Sequence, residues 1–152
     1  METDKAIEVL NSLIEINNDR IEGYETASKE TEETDFKRLF SQFVKTSEWC
    51  KVELAKEVVK LSGTPTEGTT TTGKFFRVWM DFKAAVTGND RESILNSCQY
   101  GESVASDTYK DVLDDNVAGF TIEQQSMLRA QYMLLKSDYD KVKNMLIIIE
   151  DE

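Results

Sequence analysis

The 152-residue chain sets 29 acidic residues against 18 basic ones, for a net charge of -11, and contains no histidine. That length suits one compact domain over residues 1–152, the charge repels nucleic acid and anionic membrane surfaces, and the missing imidazole removes Ser-His and Cys-His nucleophile pairs. No basic-then-apolar leader opens the chain, and no run nears the ~18 apolar residues of a membrane span, so the expectation is a soluble, cytoplasmic protein.

Apolar residues recur at alternating steps of three and four along most of the chain, which predicts long helices packed as a bundle. The first helix is expected from Thr3 or Asp4, either able to cap it, to about Glu30, with Ile7, Leu10, Ile14, Asn17, Ile21 and Tyr24 facing inward. The second follows the acidic turn at residues 31–35, carries Phe36, Phe40, Phe43, Ser47, Cys50, Leu54 and Leu61 inward, and stops at Gly63.

The stretch from Leu61 to Gly73 holds Pro65, the sole proline, and a run of threonines, so it is the main break. It also contains the phosphate-loop spacing G-x-x-x-x-G-K at Gly68, Gly73 and Lys74. Phe75 stands where that motif needs a Ser or Thr for magnesium, and a helical pattern rather than a strand precedes Gly68, so the spacing is read as coincidence. Thr72 is the expected cap of a shorter helix that follows; the loop is read as a solvated connection, with anion capture near Gly73 and Lys74 as the lesser alternative. That helix lines up Phe75, Trp79, Phe82 and Val86 to seal the side or end of the bundle, leaving Phe76 and Met80 off its inward face.

The next long helix is expected to be capped by Asn89 or Asp90, with Leu95, Cys98, Glu102, Ala105, Tyr109 and Val112 inward. The last opens at a capping box, Thr121 with Gln124, and shows a stripe of Leu128, Tyr132, Leu135, Tyr139, Val142, Leu146 and Ile149. Gly23 and Ala27 match Gly101 and Ala105 at an offset of 78 residues, and the same offset lays Ser47, Cys50, Leu54 and Leu61 onto Gln125, Leu128, Tyr132 and Tyr139. Two copies of one helical hairpin, with small residues letting the first and third long helices approach, joined by one long connection that carries its own short helix, describe an all-α, ferritin-like four-helix bundle.

Such bundles hold two metal ions with a Glu on each of two helices and Glu-x-x-His on the other two. Here Glu48 is followed by Lys51, Glu53 by Lys56 and Asp138 by Lys141, pairs read as surface salt bridges. The inward polar residues leave a histidine-free candidate of Glu102, Glu25 and Tyr24 for iron or manganese. A structural polar network is the preferred reading, with Tyr24, Tyr109, Tyr132 or Tyr139 as donors to Glu102 and Arg20 as its counter-ion. Cys50 and Cys98 read as buried thiols rather than a disulfide. The sequence therefore points to a protein without a cofactor that acts by binding a protein partner or a second copy of itself through Gly68 to Phe82, with Lys74, Phe76 and Met80 as contacts. An apolar ligand held between the helices is a third reading.

Residues 9–27, the connection GTTTTGK with the RVWMDFKAAVTGNDRESIL segment, and CQYGESVASDTYKDVL together resemble a bacterial family of ferritin-like four-helix-bundle proteins filed as a domain of unknown function. The resemblance rests on Arg77, Trp79, Asp81, Lys83, Thr87, Gly88, Asp90, Arg91, Ile94, Leu95, Gly101 and Glu102. It implies the bundle fold and brings no catalytic residue. The opening helix is also similar, more distantly, to that of bacterioferritins, a register that puts Asn17 where their first metal-binding Glu is expected.

Overall fold

The computed structural model describes residues 2–70, 73–115 and 117–151, apart from the side chains of 73–75 and 117. The proposed cap Thr72 and the side chains of Lys74 and Phe75 lie outside the described residues. Five α-helices follow in order: α1 (Thr3–Glu30), α2 (Thr34–Lys60), α3 (Gly73–Gly88), α4 (Arg91–Asp115) and, after a 3-10 turn at Val117–Gly119, α5 (Ile122–Glu150). No strand occurs among the described residues, so nothing delivers the Gly68–Lys74 segment in the manner of a phosphate loop. Nor is any described helix long and apolar enough to cross a membrane.

Local chemistry sets most of the helix ends. Thr121 accepts a hydrogen bond from the Gln124 amide while Gln124 accepts one from the Thr121 amide, the expected capping box. Asp90 caps α4 through the Ser93 amide, whereas Asn89 adopts a φ of 59° and closes α3. At α1 the expectation fails: Glu2 precedes the helix and makes no side-chain cap. Gly63 differs as well, since Ser62 is the residue in the left-handed region, at φ 67°. Gly63 serves close approach instead, because an added Cβ would sit 2.9 Å from a methyl of Ile7.

The helical hairpins α1/α2 and α4/α5 enclose one apolar interior in which Leu10, Ile14, Phe36, Phe40, Phe43, Leu54, Leu95, Leu128, Leu135 and Val142 are buried. The small residues do not bring α1 and α4 together directly. They seat α3: the ring of Trp79 would lie 2.5 Å from a Cβ on Gly23, and Val78 would lie 3.1 Å from one on Gly101. Trp79, Phe82 and Val86 are buried as expected, and Trp79 and Phe82 meet Tyr24 edge-on at ring separations of 5.0 and 5.4 Å.

The segment before α3 is not a freely solvated connection. Asn11 donates to the Thr64 carbonyl and accepts from the Thr66 amide, Asn18 donates to the Gly68 carbonyl, and Asp19 accepts from both the amide and the hydroxyl of Thr70. These bonds satisfy the irregular backbone and strap it along α1. Burial pushes the Asp19 carboxyl up from 3.8 to about 6, against the lowering pull of Thr70 and with Glu22 and Glu15 adding to the rise. A carboxyl whose folded pKa exceeds its unfolded value contributes stability that is present below 3.8 and lost as pH rises through about 6. Asp19→Asn keeps an acceptor for Thr70 without the charge, so its melting temperature should match the parent near pH 4 and exceed it at pH 7, read by thermal denaturation across that range.

Candidate functional site

Each long helix turns polar side chains toward the bundle axis, and they meet in two layers. In the first, the Arg20 guanidinium of α1 is fully buried and donates to both carboxylate oxygens of Glu102 on α4, at 2.9 and 2.5 Å. It also donates to Asp138 on α5 at 3.0 Å and to the Ser47 hydroxyl on α2 at 2.5 Å. Tyr24 donates to Glu102 at 2.8 Å and lies 3.3 Å from the Cys98 sulfur. In the second layer Asn17 donates to the Tyr109 hydroxyl, Tyr109 donates to the Gln131 side chain, and Gln131 donates to the Cys50 carbonyl and to Glu53. Both layers tie together residues from all four long helices.

Burial alone would lower the Arg20 pKa, but Glu102 above all, then Tyr24 and Asp138, outweigh it and hold the guanidinium charged. Burial raises Glu102 above the ordinary 4.5, and the pull of Arg20 recovers only part of that shift. Burial likewise pushes the Cys50 thiol up to about 12 and Cys98 above its ordinary value, so neither offers a thiolate nucleophile at neutral pH. Both cysteines are free and buried.

Two of the three metal candidates, Glu102 and Tyr24, come together, and Arg20 is indeed the counter-ion. Glu25 does not join them: it is exposed and faces a groove toward α2 beside Lys29, Lys45 and Glu48. Among the proposed tyrosine donors Tyr109 belongs to the second layer, and Tyr132 and Tyr139 are only partly buried. On α5 the expected Leu128, Leu135, Val142 and Leu146 are buried, but Gln131 and Asp138 take the inner positions expected of Tyr132 and Tyr139. Asp138 is the residue the sequence hides. Its pair with Lys141, at 3.8 Å, is present as expected, but the carboxylate is buried and its main partner is Arg20. The seven-residue spacing of Gln131 and Asp138, which matches Glu102 and Tyr109 on α4, is the one signal that could have found it. The expected surface residues Phe76 and Met80 are 37% and 51% exposed.

The donor set does not suit a divalent cation. A guanidinium already occupies the convergence point, within 3.0 Å of both carboxylates, and its charge would oppose a metal placed there. No group of three or more Cys, Asp or Glu side chains among the described residues is disposed to hold a metal ion.

The family described as Domain of unknown function (DUF2383) matches residues 5–115 of the chain. The chain belongs to the DUF2383 family. The match spans α1 to α4, so the Arg20–Glu102 pair lies inside the DUF2383 region while Asp138 lies beyond it. Among solved structures the chain is similar to one described as ferritin like, diiron-carboxylate proteins from Bacillus anthracis str. Ames, with 16% identity, a TM-score of 0.75, and coverage of 96% of this chain and 99% of that one. At such identity the likeness shows the fold: this DUF2383 protein is a ferritin-like helical bundle. No curated protein matches it.

Proposed function

We propose that this protein is a non-enzymatic binding or structural bundle in which an internal ion pair stands where a ferritin-like protein would carry a metal centre. The observation that carries the reading is the Arg20 guanidinium, bonded at once to Glu102, Asp138 and Ser47. Those bonds satisfy the carboxylates that a metal would otherwise require, and the buried thiols offer no alternative chemistry. Its work is then done by outer faces, toward a protein partner or a second copy in the cytoplasm. The Phe76 and Met80 edge of α3, with Lys74 next to it in sequence, is one candidate contact. The competing reading is a histidine-free iron or manganese site on Glu102.

Anaerobic titration with Fe(II) and Mn(II), followed by elemental analysis of the desalted protein, separates the two. The expected result is no stoichiometric metal in either the parent protein or Glu102→Gln. Tightly held metal in the parent that disappears in Glu102→Gln would establish the competing reading.

A further inference from the structure

The outward side of α2 bears a second stripe of its own. Arg38, Lys45, Val52 and Val59 follow one another at seven residues, and Trp49 and Lys56 stand four residues beyond Lys45 and Val52. All six are exposed, Trp49, Val52 and Val59 at 62%, 54% and 60%. They lie on the side of the helix opposite Phe36, Phe43, Cys50 and Leu54, which fill the core. At 1.5 Å per residue the stripe runs for about 30 Å. Burial in the bundle asks for one such stripe per helix, and alternating steps of four and three are the spacing that a helix packed lengthwise on α2 would meet. Val52 and Val59 also line a shallow depression with Ala55, Lys56 and Lys60, a seat for apolar side chains.

We infer that this stripe docks an acidic amphipathic helix of a partner protein, which sets carboxylates over Arg38, Lys45 and Lys56 and apolar side chains over Trp49, Val52 and Val59. Charge complementarity decides the occupant. Every charged residue within about 50° of the midline of the stripe, namely Arg38, Lys45, Lys56 and Lys60, is basic. Glu48 and Glu53 stand only at its edges. Arg38, Lys45 and Lys56 form no ion pair among the described residues, so their charge is open to a partner.

The same charges disfavour the other occupants. A second α2 would set one basic stripe on another. A helix lying on a bilayer keeps its apolar strip unbroken and its Lys and Arg to the polar side, whereas Lys45 and Lys56 interrupt the apolar line itself and acids stand at its edges. Carboxylates on a partner helix answer those lysines one by one and fix its register. The chain as a whole is at -11, but charges beyond ~8 Å are largely screened at physiological ionic strength, so the local face governs the contact. The acidic remainder repels such a partner from the other faces and steers it to α2. This inference rests on the reading of the protein as a binding bundle and names the chemistry of its partner; metal titration tests that reading separately, so either can fail alone.

The probe is a synthetic three-heptad helical peptide without tryptophan, bearing glutamate opposite Arg38, Lys45 and Lys56 and leucine opposite Trp49, Val52 and Val59. A copy with lysine in place of glutamate serves as its control. Each is titrated into the intact chain while tryptophan emission is recorded, Trp79 being buried throughout. The expected result is a saturable blue shift of Trp49 with the acidic peptide, weakened about tenfold or more between ~50 and ~500 mM salt, and none with the basic peptide. Lys45→Glu and Lys56→Glu should each weaken the acidic peptide by about tenfold or more, and the double variant should prefer the basic one. Both changes are on an exposed surface, and circular dichroism will confirm that each variant keeps its helices. No binding of the acidic peptide up to about 1 mM, equal binding of both peptides, or indifference to the double variant would each overturn the inference. An equal blue shift on vesicles of phosphatidylglycerol and phosphatidylcholine would overturn it in favour of a membrane surface, and one that grows with protein concentration alone in favour of a second copy.

Discussion

Arg20→Met should destabilise the protein by about 3–5 kcal/mol in urea denaturation, because it leaves buried carboxylates without their partner. Typical domains have only about 5–15 kcal/mol in total, so the variant should be marginally folded at neutral pH. Two features of the site make the loss large. Glu102 and Asp138 are 1% and 3% exposed, so water cannot replace the guanidinium, and Arg20 also packs over the rings of Tyr24 and Phe43 at 5.5 and 5.6 Å. The pH dependence has a definite sign. Without Arg20, burial holds Glu102 even further above its ordinary 4.5, and a carboxyl raised on folding contributes stability below its unfolded pKa and loses it as pH rises. The deficit relative to the parent should therefore shrink as pH falls from 7 toward 4.5. Combining Arg20→Met with Glu102→Gln and Asp138→Asn should recover much of the loss, since removing all the charges costs far less than stranding some of them. A single variant as stable as the parent would show that the guanidinium does not hold the bundle together.

Trp79→Ala should cost a comparable ~3–5 kcal/mol, the range for truncating a large aromatic in a core that cannot collapse around the gap. Collapse is hindered here because the ring rests on Gly23, where an added Cβ would come within 2.5 Å, and meets both Tyr24 and Phe82 edge-on. The same substitution also removes an edge-on contact from the Tyr24 ring, whose hydroxyl donates to Glu102, so the effect should reach the polar layer. Near-UV circular dichroism should lose aromatic signal beyond that of one tryptophan, and the far-UV helical signal should fall if α3 leaves its seat. Unchanged stability would mean that α3 is an ornament on a bundle complete without it.

What the sequence determined by itself is whatever depends on neighbours within a few turns. The bundle class, the extents of α1 and α2, the capping box at Thr121 and the inward face of α4 all follow from heptad spacing and local hydrogen bonding, and the structure agrees with each. Arg20 could be named as the counter-ion of Glu102 because both fall near inward stripes. The tertiary structure alone decided which neighbours of the Leu128, Leu135, Val142 and Leu146 stripe on α5 turn inward, putting Gln131 and Asp138 inside and leaving Tyr132 and Tyr139 at the margin. It alone showed that Gly23 and Gly101 receive α3, and that the threonine-rich segment is strapped to Asn11, Asn18 and Asp19. Asp138 shows the physical reason most clearly. Its pairing with Lys141 three residues on is fixed by helix geometry and can be read from spacing. Its bond to Arg20, 118 residues away in the chain, depends on the axial stagger and rotation of α1 against α5, quantities set by side-chain interdigitation across the whole bundle.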